Sequence, residues 1–464
     1  MKRNPDKTTF SGVLLALGLT AWTAAAEPRM SYLENGSIKV GVDLDLGGAI
    51  TWLSTVDGVN RVNNFDHGRQ IQLSYFSGPV PFETPDQKPS EHWRHLGWNP
   101  IQAGDDFRNG SEVIEHRNDG REIYVKCRPL QWPLDGVPGE CFFESWLALD
   151  GVALVARARI TMERSDQTQY PARLQELPAL YANADYHRVV SYTGARPYAD
   201  EAAEVMPRSE TKHPWTFWIG TEQWSALLDE KDEGLGLITP GRYWFTGGFA
   251  GRPGGSDTHA TDTGYLAGQG LEILDHNAVH EFRYEVVVGS LAEIRARAAT
   301  HAPKSPPVWK FSNDRQGWHY RDARDTGWPL GGMLEVVADG GDPQIVSPVT
   351  LWNAEEAPFL VIEAAFTTGE PRATLYWRRL GEAGPGPEDH VAFPVPEDGA
   401  FHEIVVPLGE SASYRGPIVQ LRLDPVSQGR PEARVKIRSI SLHLTDPRGG
   451  NQRKTVFPIR EGAL

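Results

Sequence analysis

Short stretches of alternating apolar and polar residues, separated by turns rich in glycine and proline, recur along this chain. The stretches Ser37–Leu46 and Glu281–Val288 alternate in this way, and Asp150-Gly151 has the composition of a tight hairpin turn. Side chains alternate between the two faces of a strand, and Gly, Pro, Asn and Asp favour turns. With 47 glycines, 35 prolines and few helical periods among 464 residues, the pattern predicts an all-β, antiparallel fold.

A proline-rich linker at residues 303–307 divides the predicted fold into two parts. Residues 31–302 are long enough for one large sandwich. Residues 308–446 contain several short strand-like stretches with turn signals between them, which predicts a smaller β-sandwich. We expect residues 447–464 to be a tail.

The amino terminus has the composition of an export signal. Basic residues within the first seven positions precede an apolar stretch from Phe10 to Ala21, and three alanines at 24–26 offer a cleavage site. We therefore expect residues 1–26 to be removed and the protein to be periplasmic or secreted. No later stretch is long and apolar enough to predict a membrane span.

Cys127 and Cys141 are the two cysteines of the chain. In an exported protein, a pair of cysteines on neighbouring predicted strands predicts one disulfide. A zinc site needs more thiols or a close pair of histidines. Asp339 and Asp342 are predicted to be turn residues rather than calcium ligands, so we expect no metal and no cofactor.

Charge and aromatic content indicate the class of partner. The formal net charge is -15, which argues against nucleic acid because such binding needs a basic surface. The chain also has 15 tryptophans, and indole rings supply flat apolar surfaces on which sugar rings stack. A carbohydrate is therefore the expected partner.

One amino-terminal segment carries a family resemblance. The sequence GVDLDLGGAITWLS at 41–54, followed by the polar stretch 63–69, resembles the opening of galactose-mutarotase-like proteins of the aldose 1-epimerase superfamily. The resemblance covers residues 31–302 and implies an antiparallel β-supersandwich with a sugar site on its concave sheet. Residues 308–446 resemble the jelly-roll, carbohydrate-binding-like modules of secreted carbohydrate-active enzymes. The Leu-His-Gly-Gly pattern of the epimerases is absent.

Three polar stretches supply the candidate site residues: the strand Arg69–Tyr75, the loop His92–Asp105 and the segment Gln175–His187. Sugar recognition needs planar hydrogen-bonding groups and aromatic faces, and turnover needs a proton donor and acceptor. The predicted substrate-binding residues are Arg69, Gln70, Gln72, Trp93, Trp98, Asn99 and Asp105. The predicted catalytic residues are Glu176, His187, Tyr181 and His95. We expect all three stretches to converge on one face.

The leading hypothesis is an enzyme that cleaves a poly- or oligosaccharide. A hydrolase needs two carboxyl groups, which Glu176 with Asp105 or Asp185 would supply. A lyase needs a base and a group that neutralises a uronate, and Tyr181 or His187 with Arg69 or Arg94 would serve. An epimerase needs a histidine with a glutamate. The alternative class is a glycan-binding protein without catalysis, and the sequence leaves these alternatives open.

Overall fold

The computed structural model describes residues 28–209 and 214–449. The predicted signal peptide and most of the predicted tail lie outside these ranges. The described residues form antiparallel strands, one α-helix (α1, Leu291–Ala299) and short 3₁₀ turns at Arg94–Leu96, Ala354–Glu356 and Leu408–Glu410. The prediction of an all-β antiparallel fold is confirmed.

The first part of the chain contributes the strands of two large sheets. They are β1 (Met30–Glu34), β2 (Ile38–Asp43), β3 (Ala49–Thr55), β4 (Ile71–Ser74), β5 (Pro100–Ile101), β6 (Glu112–Asn118), β7 (Glu122–Arg128), β8 (Leu130–Gln131), β9 (Cys141–Asp150), β10 (Ala153–Met162), β11 (Arg173–Ala182), β12 (Arg188–Ser191), β13 (Glu204–Val205), β14 (Thr216–Ile219), β15 (Trp224–Leu228), β16 (Glu233–Ile238), β17 (Trp244–Ala250), β18 (Thr263–Glu272) and β19 (Val279–Ser290).

These strands pack as a sandwich. A ten-stranded sheet has the order β1-β2-β3-β4-β11-β18-β17-β14, with β5 beside β4 and β8 beside β5. A nine-stranded sheet has the order β13-β12-β15-β16-β19-β10-β9-β7-β6. Val40, Leu53, Leu180 and Val286 are fully buried in the main hydrophobic core. The other face of the ten-stranded sheet points away from this core and is called the outer face below.

The second part of the chain forms a smaller sandwich of two six-stranded sheets. One has the order β22-β23-β31-β26-β29 with β20 beside β31, and the other has the order β21-β24-β30-β27-β28 with β25 beside β30. The strands are β20 (Val308–Lys310), β21 (His319–Arg321), β22 (Arg324–Asp325), β23 (Leu334–Val337), β24 (Gln344–Val346), β25 (Trp352–Asn353), β26 (Phe359–Thr367), β27 (Arg372–Arg379), β28 (His390–Pro394), β29 (His402–Pro407), β30 (Pro417–Asp424) and β31 (Arg434–His443).

Glycine-dependent turns connect the strands of the first sandwich as the sequence predicts. Gly151 has a φ of 57°, and the turn that it closes joins β9 to β10. Gly48 has a φ of 71°, and a Cβ atom there would lie 2.4 Å from Val125. Only glycine adopts such a conformation without strain and also leaves room for this close approach.

A buried ion network joins the two sandwiches. The guanidinium of Arg315 contacts Asp275 of the first part at 2.6 Å and Asp325 of the second at 2.5 Å. The amide of Gln169 donates to the same two carboxylates at 3.1 and 2.7 Å. These contacts link the end of the large sandwich to the start of the small one.

The predicted disulfide is wrong, because Cys127 and Cys141 are both free thiols in the core. Cys127 lies opposite Phe143 in the pairing of β7 with β9, so Cys141 is two residues further along the partner strand. Diagonal neighbours of this kind have Cβ atoms about 7 Å apart, whereas a disulfide requires about 4 Å. Burial raises the pKa of both thiols, which further disfavours the reactive thiolate form.

We expect the purified protein to contain two free thiols. Denaturation in the absence of a reductant should expose both Cys127 and Cys141 to a thiol reagent, and the measurement is the number of thiols labelled per chain. A sample that is reduced before denaturation is the control, and it should give the same number of labelled thiols per chain. Labelling that appears only after reduction would show that the strands shift to allow a disulfide.

Candidate functional site

A row of three polar side chains and one aromatic side chain crosses the outer face of the ten-stranded sheet. Glu176 lies opposite Ser74 on one side and Gln269 on the other, and Gln269 lies opposite Trp244. Directly opposed residues of antiparallel strands share a face. These four residues from β4, β11, β18 and β17 therefore form one continuous row.

A β-bulge in β11 decides which residues join this row. The register of β11 against both neighbours shifts between Glu176 and Ala179. In a regular strand, two residues three positions apart would point to opposite faces. The bulge puts Ala179 and Tyr181 on the same face as Glu176, where they lie opposite Ala267 and Tyr265.

Five aromatic residues of the outer face form what we call the aromatic floor: Tyr181, Trp215, Phe217, Trp244 and Tyr265. The ring centroid of Tyr265 lies 4.7 Å from that of Tyr181 and 4.8 Å from that of Trp215. The rings of Phe217 and Trp244 lie 6.0 Å apart. Tyr265 is buried beneath its neighbours, whereas the other four rings are at least partly exposed. Such a surface can stack against the apolar face of a sugar ring.

The carboxyl group of Glu176 is the titratable centre of the floor. It accepts a hydrogen bond from the hydroxyl of Tyr265. Burial raises the pKa of Glu176, and the hydrogen bonds from Tyr265 and Ser74 only partly oppose this effect. A carboxyl group with a raised pKa is a candidate for general acid and base chemistry. Because its side chain is partly exposed, a ligand on the floor can reach it.

Arg69 and Asp66 lie beside the floor. The Nε of Arg69 is 3.3 Å from the Oδ2 of Asp66, and its Nη1 donates to the carbonyl of Thr261 at 2.7 Å. Burial raises the pKa of Tyr181, and the charge of Glu176 adds to this effect while that of Arg69 opposes it. The predicted residues Arg69, Glu176 and Tyr181 therefore do come together.

Gln70 and Gln72 do not present free amides to a ligand, contrary to the prediction. Both are buried. The Nε2 of Gln72 donates to the carbonyl of His67 at 2.9 Å, and its Oε1 accepts from the backbone N–H of Ala103 at 2.8 Å. The Nε2 of Gln70 donates to the carbonyl of Asp66 at 2.7 Å. The two glutamines hold loops against the sheet.

Trp98, Asn99 and Asp105 are also wrong as substrate-binding residues. Trp98 is 0% exposed and belongs to the hydrophobic core. The amide of Asn99 donates to the carbonyl of Tyr75 at 2.8 Å. The carboxylate of Asp105 accepts from the backbone N–H groups of Phe107, Asn109 and Gly136 at 2.7–2.9 Å. These polar groups stabilise the loop instead of facing a ligand.

Trp93 and His95 lie in the same loop, outside the floor. The indole of Trp93 donates to Asp106 at 2.7 Å and packs edge-on against Trp132 at 5.7 Å. His95 is an exposed residue of the 3₁₀ turn Arg94–Leu96. Among the described contacts, none joins either side chain to Glu176 or Tyr181.

His187 is held elsewhere, so it is not the proton-transfer partner of Glu176. Its Nε2 lies 3.0 Å from Glu230, and its Nδ1 lies 3.1 Å from the carbonyl of Asp185. Its ring packs against the buried Phe249 at 5.9 Å. The group that contacts Glu176 is instead Tyr265, which sequence reasoning missed because it lies 89 residues further along the chain.

Among residues 28–209 and 214–449, no group of three or more His, Cys, Asp or Glu residues has the arrangement of a metal site. No helix in these ranges is both long and apolar enough to cross a membrane.

No family model matches the sequence, and no curated protein matches it. Several solved structures are similar. A galactose mutarotase-like protein from Lactobacillus casei has 12% identity and a TM-score of 0.35, and the match covers 56% of this chain and 99% of that one. A galactose mutarotase related enzyme from Lactobacillus acidophilus has 9% identity and a TM-score of 0.34, covering 56% and 97%.

A low affinity xylan binding module from Roseburia intestinalis is also similar, with 10% identity and a TM-score of 0.23 over 30% of this chain and 95% of that one. The solved structures similar to this chain thus include galactose mutarotase-like proteins, the group that its amino-terminal sequence resembles.

Proposed function

We propose that this protein is an exported enzyme that cleaves a poly- or oligosaccharide bound on the aromatic floor. The observation that carries the proposal is the carboxyl group of Glu176, which lies in a partly exposed position among aromatic rings with its pKa raised by burial. In the proposed reaction, the carboxyl group of Glu176 gives its proton to the glycosidic oxygen as the bond from the anomeric carbon to that oxygen breaks. Water adds to the anomeric carbon and its released proton restores the carboxyl group, while Tyr265 holds that group in position.

Arg69 and Tyr181 are proposed to orient the substrate. The guanidinium of Arg69 offers further N–H donors to hydroxyl or carboxylate oxygens beyond its bonds to Asp66 and Thr261. The ring of Tyr181 continues the stacking surface next to Tyr265. Export is part of the proposal because of the signal-like residues 1–26.

The test is incubation with a panel of bacterial, plant and algal polysaccharides, followed by analysis of the product ends. A saturated reducing end indicates hydrolysis. An unsaturated, ultraviolet-absorbing end indicates elimination. The absence of any product from the whole panel would contradict the proposed cleavage.

A second candidate is a glycan-binding protein without catalysis. It is favoured by one observation: among the contacts of the described residues, none joins Asp105, Asp185, His95 or His187 to Glu176, so neither the second carboxyl group of the predicted hydrolase nor the histidine of the predicted epimerase stands beside it. This alternative predicts saccharide binding on the floor with no change in the length of the glycan.

The aromatic floor itself is tested by Trp215→Ala. Loss of the indole removes a stacking surface next to Tyr265, so we expect saccharide binding to weaken about five- to tenfold, on the order of 1 kcal/mol. The measurement is the Kd for an oligosaccharide product by calorimetry. Trp146→Ala is the matched control, because that indole lies on the nine-stranded sheet against Arg157, and its Kd should stay unchanged. Equal effects of both variants would contradict the assignment.

A further inference from the structure

A cleft of about 870 Å³ lies between the two sandwiches, at the edge of the aromatic floor. The large sandwich lines it with Arg242, Glu272 and His280, and the small sandwich lines it with Trp309 and His319. This volume is in the range of about 300–1,000 Å³ that small-molecule sites occupy. The buried network around Arg315 fixes the two walls relative to each other.

A charged cluster holds Arg242 in the wall of the cleft. Its Nη1 lies 3.3 Å from the carboxylate of Glu272, and its Nη2 lies 3.1 Å from the Nε2 of His280. The Nδ1 of His280 lies 3.0 Å from the hydroxyl of Tyr75. Burial alone would raise the pKa of Glu272, but His280 and Arg242 outweigh it and hold the pKa at about 2. Arg242 is thus fixed by an ionised carboxylate, and its remaining N–H groups are available to a ligand.

His319 supplies an acceptor on the opposite wall. Its Nδ1 lies 3.2 Å from the carbonyl of Gly317, which assigns the proton to Nδ1. Burial lowers the pKa of His319 and so favours the neutral ring. Among the described residues, no hydrogen-bond partner meets its Nε2, which therefore has a lone pair free to accept from a hydroxyl group.

The charge of the lining identifies the class of ligand. Three arginines and three carboxylates line the cleft and no lysine does, but Arg315 is already paired with Asp275 and Asp325, so the lining carries no excess of positive charge. Of the three indoles in the lining, Trp244 and Trp328 are partly exposed and add flat apolar surface, whereas Trp309 is buried in the core of the small sandwich. The charged residues are Arg242, Arg283, Arg315, Glu272, Glu281 and Asp314, and the indoles are Trp244, Trp309 and Trp328. A balanced lining with donors, acceptors and aromatic faces suits a neutral, hydroxyl-rich ligand.

The cleft continues the row that contains Glu176. Gln269 and Trp244 line the cleft and also stand beside Glu176 in that row. Two strand spacings of about 4.8 Å separate Glu176 from Trp244, a distance of about 10 Å. We propose that the cleft binds the further sugar residues of a neutral oligosaccharide whose reacting bond lies at Glu176. This inference rests on the proposed function and adds to it a neutral substrate longer than a disaccharide.

The test measures binding in the Glu176→Gln background, so that cleavage does not interfere. The probes are cellohexaose, xylohexaose and mannohexaose, their disaccharides, and hexagalacturonate as a charged probe. We expect at least one neutral hexasaccharide to bind at least tenfold tighter than its disaccharide and than hexagalacturonate. His319→Ala and Arg242→Gln should each weaken hexasaccharide binding at least threefold without changing disaccharide binding.

The matched controls are His390→Ala and Arg438→Gln. Both residues lie on the small sandwich outside the cleft. Neither substitution should change the Kd for the hexasaccharide or for the disaccharide. The proposal is overturned if no neutral hexasaccharide binds, or if the hexasaccharide binds no more tightly than its disaccharide. It is also overturned if neither cleft variant reduces this difference in affinity. Turnover of the same hexasaccharides by the unmodified protein is measured separately. Length-dependent binding that the cleft variants weaken, without turnover, would support the cleft and contradict the proposed cleavage.

Discussion

Glu176→Gln is expected to lower the rate of glycan cleavage by about 10²- to 10⁴-fold, while the Kd for the substrate changes less than about threefold. Glutamine keeps the size of the side chain and a hydrogen-bond acceptor for the hydroxyl of Tyr265. Its amide does not act as an acid or a base, so we expect the variant to lose turnover rather than binding. The measurement is kcat from product release, together with Kd by calorimetry.

Glu144→Gln is the matched control for this prediction. Glu144 also accepts a hydrogen bond from a tyrosine, Tyr124 at 2.8 Å, but it lies on the nine-stranded sheet. We expect turnover of this variant to equal that of the unmodified protein. If Glu176→Gln weakens binding and leaves the turnover of bound substrate unchanged, then Glu176 is a binding residue and the proton transfer is assigned wrongly.

Arg315→Ala is expected to destabilise the protein by about 3–5 kcal/mol, because it leaves two buried carboxylates without their cation. Arg315 and Asp275 are each 5% exposed at the side chain, and Asp325 is 0% exposed. Tyr320 also donates to Asp325 at 2.9 Å, but a phenol does not neutralise charge. The measurement is the midpoint and slope of urea unfolding.

The control for Arg315 is Arg438→Ala, whose guanidinium pairs with Glu363 at 2.9 Å on the surface. Exposed pairs of this kind contribute about 0–1 kcal/mol. Unfolding should be followed both by tryptophan fluorescence and by circular dichroism, since two sandwiches can unfold separately. A loss below about 1 kcal/mol for Arg315→Ala would contradict the role of the network in joining them.

The strands and turns of this fold are predictable because they depend on local patterns. Alternation in Ser37–Leu46 and the turn at Asp150-Gly151 each follow from a few neighbouring residues. The structure has the turn at its predicted place and a shorter strand, Ile38–Asp43. Alternation also puts Gln72 correctly on the outer face. It does not show that the loop at Ala103 covers that residue and occupies its amide.

The candidate site depends on register, which local patterns do not contain. Tyr265 and Trp244 meet Glu176 only through the pairing of β11, β18 and β17, and the bulge between Glu176 and Ala179 reverses the face expected for Tyr181. The same reason explains the wrong disulfide, because a shift of two residues between strands separates Cys127 from Cys141.

The prediction of Trp98 as a substrate-binding residue is wrong for a different reason. Its loop, His92–Asp105, is rich in polar and aromatic residues, which is equally typical of a binding loop and of a loop that folds back into the core. Long-range packing determines that this loop folds into the core. The guanidinium of Arg164 lies 5.4 Å from the Trp98 ring, and the backbone of Trp98 pairs with that of Ser77.

The central claim is that a saccharide bound on the aromatic floor presents its reacting bond to Glu176. The most direct measurement is a crystal structure of the Glu176→Gln variant with an oligosaccharide that the unmodified protein cleaves. We predict a sugar ring stacked on Trp215 or Tyr181, with a glycosidic oxygen about 2.6–3.2 Å from the side-chain amide at position 176. A saccharide bound elsewhere, with the floor empty, would contradict the account.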